Sequence, residues 1–538
     1  MRSAAARGLE RRAALAVLAA FAAVCVVFSG QFPPYVNPNE LSRLQTVYAF
    51  VEEGTFRVDH AIEVFTKHED LAVSGGHFYS NKAPGVAFAA IPVYRVLRTV
   101  FPRPHSPFDP IFVILRLLVI TPVCILALAR FLSRLQRTGA PAAALVAAAV
   151  AFGTPYAFHA RSFFSHAWTA ALILLSLDAI QRAEEASSRR RVGFLLWSAG
   201  LLAGWAAISE YPAAILAGLL LLRTVARHAP RRPVLFTVGL AVPLALLLAY
   251  NAACFGSPFI LSSARESMPQ YAELAHRGLF GFGPPSPGVA LAYLFHPARG
   301  LVLLSPFWLW AIAGFVKWRN SREERADWAF CLAATILFFV AMTAYPNWHG
   351  GWSFGNRYLL PVLFPAAFAL ARALDSPLSR WGFAAATVFA VAAHTLLGST
   401  WVFLPADVSW PARNAALWFV AKGWAAPAVF GGSPGWALAA VILAAVAVAA
   451  AVGAAVASAG LPRGRASLAG AAGLAAFAVF LAASPPLDFS GRLWRAETLG
   501  RLSGRDPGME ELRAVALSAT TPEEKRRAAR EWRQYGRR

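Results

Sequence analysis

The sequence predicts an all-α, polytopic transmembrane bundle of about thirteen spans, and three observations predict it. Of its 538 residues, 57% are hydrophobic and only 14% charged, with a mean hydropathy of +0.50. A soluble domain of this length has no means of burying so much apolar surface. Apolar runs of about 18–22 residues recur along the chain, the length that carries a helix across the hydrocarbon of a bilayer. Short Arg-rich connectors alternate with longer polar loops, as loops on the two sides of a membrane do.

The first apolar segment, 13–29, follows Arg2, Arg7, Arg11 and Arg12. A cleavable signal peptide is the competing reading. The segment is long for one and ends Phe28-Ser29-Gly30 without a small-x-small site, so an uncleaved span with a cytoplasmic N-terminus is expected. Residues 84–101 decide the topology. Only Pro84 to Tyr94 is uninterrupted, and Arg95 and Arg98 follow. That is short for a span and suits a helix lying in the interface.

The next spans then fall near 110–131, 140–158, 167–181, 192–209, 211–225, 234–252, 301–316, 328–345, 358–371, 381–402, 434–458 and 467–484. With this assignment every Arg-rich connector lies on the cytoplasmic side, from Arg130/Arg134/Arg137 to Arg463/Arg465. The outer loops are 30–110, 253–300 and 403–433. The membrane domain is 1–484. A polar, extracytoplasmic tail, 485–538, carries 12 basic and 8 acidic residues, with short helices expected at 508–517 and 521–535.

The net charge of +22 invites a nucleic-acid reading, but the charge follows the connectors and no folded basic module is visible, so no nucleic acid is expected. The Ala-rich composition, with only five lysines, fits a GC-rich bacterial genome and says little about function. Cys25, Cys124, Cys254 and Cys331 are widely spaced in apolar segments and form neither a zinc pattern nor a disulfide framework. No P-loop, nucleophile elbow or dinucleotide-binding glycine pattern is present.

The chemistry concentrates in the outer loops. Asn37-Pro38-Asn39-Glu40 reads as a helix start, with Asn37 as N-cap, Pro38 at N1 and Glu40 closing a capping box. Leu41, Leu44, Tyr48 and Val51 share one face, so an amphipathic helix on the membrane surface is expected over 38–53. Glu40 is then either a cap or a surface carboxylate able to take a proton; Arg43 follows one turn on. His68-Glu69-Asp70 with His77 offers ligand types for a divalent cation. The spacing completes no set, so a solvated loop is expected there and Asp70 reads better as a second acid. Lys82, before Pro84-Gly85, is either a snorkelling lysine or a cation for a lipid phosphate at a helix start.

Tyr345 to Tyr358 packs aromatic residues, glycines, His349 and Arg357 into one outer turn. A membrane aromatic belt explains Trp348, Trp352 and Tyr358. Glycines that admit a ligand, aromatic faces for a sugar or prenyl chain, and Arg357 for a phosphate explain the segment more fully. His166 and Glu210 sit at outer span ends, as ligand-binding groups or as salt-bridge partners.

Residues 37–116 resemble the glycosyltransferase C superfamily. These are polytopic enzymes using polyprenyl-phosphate-linked sugars, among them protein O-mannosyltransferases and lipid A aminoarabinose transferases. That family places an Asp-Glu pair after the first span, a Lys-Pro segment opening a second juxtamembrane helix, and an early Arg in the next span. Asn39-Glu40, Lys82-Ala83-Pro84 and Arg116 occupy those places. The thirteen-span topology is similar to that of the aminoarabinose transferases. The chain departs from the pattern at three acids: Asn39 replaces the usual Asp, Asn81 stands where an acid precedes the Lys-Pro segment, and Ser165-His166 replace the acid of the second outer loop.

The resemblance implies a transferase moving a sugar from an undecaprenyl-phosphate donor to a glycan, lipid or protein acceptor on the extracytoplasmic face. Glu40 and Asp70 are the expected catalytic acids. Lys82, Arg357, Arg43, His349, Trp352, His166 and Glu210 are the expected donor-binding groups. The rival readings are a lipid-linked-glycan flippase, which needs ionisable groups deep in several spans, and a non-catalytic envelope protein of the same fold.

Overall fold

The structure, a computed structural model, describes all residues except 1–3, 30–36, 141, 229–231, 277, 279–280, 322–323, 400–403, 405–407, 409, 422–433, 504 and 537–538. Most of the third expected outer loop therefore lies outside the described residues. Each of the thirteen expected apolar segments contains helix among the described residues. Among the described residues, seven helices are long and apolar enough to cross a membrane.

The chain begins with α1 (Ala4–Val27), α2 (Pro38–Glu53) and α3 (Asp59–Val64), then the strands β1 (Leu71–Ser74) and β2 (His77–Ser80). It continues through α4 (Gly85–Leu97), α5 (Pro110–Arg137), α6 (Ala143–Phe152), α7 (Tyr156–His159), α8 (Ser165–Glu185), α9 (Arg189–Ser209), α10 (Ala214–Arg227) and α11 (Pro233–Phe255). The second half runs through α12 (Pro269–Ala275), α13 (Pro287–Phe295), α14 (Leu301–Leu304), α15 (Leu309–Trp318), α16 (Arg325–Thr343), α17 (Leu363–Arg372) and α18 (Pro377–Gly398). Then come α19 (Trp418–Ala421), α20 (Pro434–Ser458) and α21 (Arg463–Ala483). Helices α1 and α20, α5 and α8, α8 and α9, α9 and α11, and α18 and α21 pack in pairs.

Local chemistry sets these boundaries. Asn37 caps α2 by accepting from the Asn39 N–H, Pro38 occupies its first turn, and Gly54 at φ +67° ends it in the left-handed conformation. Two of the expected continuous spans are broken. The 140–158 segment stops at Gly153, where a side chain would meet the Phe307 ring and the Ala149 carbonyl. The 301–316 segment is interrupted at Ser305-Pro306, where proline supplies no N–H to continue a helix.

Two readings of the first loop are corrected. Helix α2 does not lie on the surface: Glu40 through Ala49 are all buried, so it is enclosed on every face rather than amphipathic. Residues 71–80 form an antiparallel hairpin where a solvated loop is expected, so the all-α bundle carries a small sheet. Gly75 and Gly76, at φ +57° and +80°, make the two-residue turn. The tail forms three helices, Phe489–Ser503, Arg505–Leu517 and Pro522–Gly536, around Phe489, Leu493, Leu512 and Val515.

Helices α9 and α11 approach through small residues. Gly200 and Gly204 form a G-x-x-x-G face, on which a methyl group would strike the Phe236 and Leu240 carbonyls. Gly239 faces the Trp197 carbonyl in the same way. Gly200→Ala or Gly239→Ala should cost about 1–3 kcal/mol by overpacking. Gly218→Ala, with nothing within 4 Å of the added carbon, should be neutral or stabilising. Thermal unfolding in detergent checks the contrast.

Candidate active site

The deepest polar contact of the first loop is an ion pair. Glu40, on the first turn of α2, and Arg116, on α5, are both 0% exposed and 3.7 Å apart. The Glu40 carboxylate also accepts the Phe163 N–H, from the turn between α7 and α8. Arg116 donates to the Ser29 carbonyl at 3.1 Å, and Arg161 donates to the Phe28 carbonyl at 2.9 Å. Two arginines thus face the carbonyl end of α1, where the helix dipole favours cations. Glu40 reads in the sequence as either a helix cap or a surface carboxylate; the structure encloses it between three elements.

One turn along α2, Arg43 begins a second network. It donates to the Asn39 side chain and backbone, the latter at 2.8 Å, and to Ser165 Oγ at 2.9 Å. Ser165 Oγ donates in turn to Glu210 Oε1 at 2.9 Å, and His166 Nδ1 pairs with the same carboxylate. Burial pushes the Glu210 carboxyl up to about 7, against the opposing pull of Ser165, Arg43 and Arg357.

The hairpin and the start of α4 supply the third part. Lys82 Nζ lies 3.0 Å from Asp70 Oδ1, with both side chains about one-fifth exposed. Burial opposes ionisation of Asp70, but Lys82, as a charge and as a donor, holds the carboxyl below its usual range. Ser42 of α2 locks the hairpin by donating to the Asp70 carbonyl at 2.7 Å and sharing a 2.6 Å bond with Ser80. His68 accepts the Asp70 N–H at Nδ1 and meets Gln45 Oε1 through Nε2 at 2.8 Å, which sets the neutral tautomer; burial lowers its pKa to about 4.

The Lys-Ala-Pro-Gly turn is held against Glu210 by shape. A side chain at Gly85 would collide with Ser209 and the Ile208 carbonyl carbon, and Trp205 donates to the Gly85 carbonyl at 2.8 Å. Only glycine lets the start of α4 meet the end of α9 there, next to Glu210.

Arg357 closes the pocket from the second half of the chain. Its guanidinium lies over the rings of Phe164 and Tyr358, at 4.9 and 5.3 Å, and it acts electrostatically on Asp70, Arg43 and Glu210. Tyr358 in turn meets the rings of His166 and Tyr345. Gly350, at φ +70°, leaves the space in which the Arg357 Nε sits.

The structure therefore brings Arg43, Asp70, Lys82, His166, Glu210 and Arg357 together, with Glu40 enclosed beneath them. His349 is turned into its own loop: its Nδ1 accepts the Gly351 N–H and its carbonyl accepts from Arg299. Trp352 is 48% exposed. His68, Asp70 and His77 face Gln45, Lys82 and Asp59 respectively, and no group of three or more metal-ligand side chains exists among the described residues. Sequence reasoning missed Glu266, whose Oε2 accepts from Asn81 Nδ2 at 2.7 Å. It also missed Ser165 and Tyr358. Contacts across 185 residues leave no local pattern to read; for the hairpin, the Gly75-Gly76 pair between alternating residues was a signal that went unread.

No protein-family profile matches the chain, and no curated protein matches it in sequence. Among solved structures it is similar to ArnT from Cupriavidus metallidurans in the apo state, at 17% identity and a TM-score of 0.47, over 95% of this chain and 80% of that one. It is also similar to the archaeal oligosaccharyltransferase AglB from Archaeoglobus fulgidus, in complex with an inhibitory peptide and a dolichol-phosphate. There the identity is 13% and the TM-score 0.44, over 95% of this chain and 60% of that one.

Two outcomes follow for the site. Glu40→Gln leaves Arg116 buried without its counter-charge and should cost about 3–5 kcal/mol, read as a lower melting temperature in detergent. Glu210 loses its proton near 4.5 when unfolded and near 7 when folded. Between those values the folded state binds more protons, so the Glu210 contribution is fully present below the lower value and is lost as pH rises through the upper one. The fall in melting temperature across that window should be steeper in wild type than in Glu210→Gln.

Proposed function

We propose that the protein is a membrane glycosyltransferase of the glycosyltransferase C type. It takes a sugar from a polyprenyl-phosphate donor and passes it to a hydroxyl acceptor on the extracytoplasmic face of a bacterial inner membrane. The observation that carries the reading is the convergence of Arg43, Lys82 and Arg357 on one cluster that also holds Asp70 and Glu210. Glu266 adds a third carboxylate, but burial displaces both the Glu210 and the Glu266 carboxyls toward the neutral form, so the three cations exceed the negative charge that faces them. A phosphate monoester or diester is the anion such a set suits, and arginine's planar fork matches it. Helices apolar enough for a membrane adjoin the pocket, so the lipid part of the donor has a hydrocarbon phase beside it.

Within this reading, Lys82 binds the donor phosphate and stabilises charge on the departing phosphate oxygen. Asp70 orients Lys82. Arg43 and Arg357 share the phosphate's remaining oxygens, and the rings of Phe164 and Tyr358 wall the sugar side. Glu40 keeps Arg116 and the 159–166 turn in place and stands outside the proton chemistry, because neither it nor its partner is solvent-accessible. Asn39 beside it retains a structural task as an acceptor for Arg43.

A deletion strain tests the proposal. It should accumulate a polyprenyl-phosphate-linked sugar and lack one envelope sugar modification, both read by mass spectrometry of lipids, glycans and envelope proteins. A plasmid copy should restore the product, and Lys82→Met should reduce it at least 100-fold while inserting normally. An unchanged lipid and glycan profile in the deletion strain contradicts the reading.

A further inference from the structure

The loop between α11 and α13 is fastened across the hairpin of the first outer loop. The Ser267 N–H donates to the Leu71 carbonyl at 2.8 Å, and Ala72 and Glu266 form an antiparallel bridge. Ser262 Oγ donates to the Asn81 carbonyl at 3.0 Å, and Tyr211 meets Ser262 at 3.1 Å. These bonds fix the backbone on both sides of Glu266. They set its carboxylate at the Asn81 amide, one residue before Lys82. Asn81 is the position at which the resemblance expects an acid and finds an amide.

We propose that Glu266 is the carboxylate that takes the proton of the acceptor hydroxyl, supplied from the second outer loop to the place that Asn81 leaves without an acid; this rests on the glycosyltransferase reading above. Glu266 is partly exposed, whereas Asn81 beneath it is 4% exposed, so the carboxylate and not the amide faces incoming substrate. Asp70 is committed to Lys82, and Glu40 is enclosed with Arg116. Glu266 has one oxygen on the Asn81 amide and its other oxygen for the acceptor.

The charged and titratable groups acting with it are Lys82 and Asp70 from the first loop, Tyr271 from α12 and Tyr345 from the turn after α16. Burial raises the carboxyl to about 7, with Lys82 and Asn81 opposing the rise. A base poised near neutral pH accepts a proton more readily than one held low, as Asp70 is. In the step, the acceptor O–H bond breaks and its proton passes to the Glu266 carboxylate. The acceptor oxygen forms a bond to the anomeric carbon. The carbon–oxygen bond to the donor phosphate breaks, its electron pair leaving on the lipid phosphate beside Lys82.

The test uses full-length variants in deletion-strain membranes, with the lipid-linked sugar extracted from that strain as donor. Glu266→Gln should lower product formation at least 100-fold, yet bind undecaprenyl phosphate as wild type does. The double variant Asn81→Asp/Glu266→Gln keeps the hydrogen bond and returns the acid to position 81. It should recover product at least 10-fold over Glu266→Gln, with the rise of rate near pH 7 moved to lower pH. Full product from Glu266→Gln, or no recovery in the double variant, overturns the assignment. If Glu266→Gln is fully active while Lys82→Met is inactive, only the assignment falls. If wild type binds no undecaprenyl phosphate and forms no product, the functional reading falls and takes the assignment with it.

Discussion

The structure hangs on one buried ion pair. Glu40 and Arg116 meet where the end of α1, the start of α2, the upper part of α5 and the turn before α8 converge. Charges out of contact with water are costly, and each partner here is tolerated only because the other is present. Arg116 and Arg161 take the Ser29 and Phe28 carbonyls just past the end of α1. Glu40 neutralises part of that charge and ties in the backbone at Phe163. The position of α2 follows from this contact. Arg43 one turn on, the hairpin held by Ser42 and the placement of Lys82 follow from α2.

A second constraint is steric. Gly85 against Ser209 brings the first loop onto the end of α9. Gly200, Gly204 and Gly239 let α9 lie close to α11, which leads into the loop carrying Glu266. Glu210 and Glu266 thus follow the same, C-terminal end of one parallel, glycine-packed helix pair. Ser165, His166 and Arg357 complete the cluster from other segments of the chain. The pocket is built on rigid helix ends, and its loops are pinned by backbone bonds rather than by side chains alone.

The bundle was legible in the sequence because its signal is local: apolar length, Arg-rich connectors and Pro or Asn at helix starts each act within one segment. The gathering of charged groups in the first loop was legible for the same reason, since Glu40, Arg43, Asp70 and Lys82 all lie within it. The enclosure of α2 was not, because Leu41, Leu44, Tyr48 and Val51 make a stripe that looks one-sided until other elements cover the polar face. The change in the reading of Glu40 comes from Arg116 and Phe163, neither of them a neighbour in sequence. Glu266 was silent for the same reason: one acid in a loop acquires meaning only from the Asn81 amide it meets.

The central claim is that the pocket around Lys82 holds a lipid phosphate. Photo-crosslinking of the purified protein with a polyprenyl phosphate, bearing a diazirine on its first isoprene unit, tests it most directly. The account places the label on peptides from 79–88 and 345–364, competed by unlabelled undecaprenyl phosphate and lost in Lys82→Met. Label spread along the apolar helices without competition, or unchanged in Lys82→Met, contradicts it.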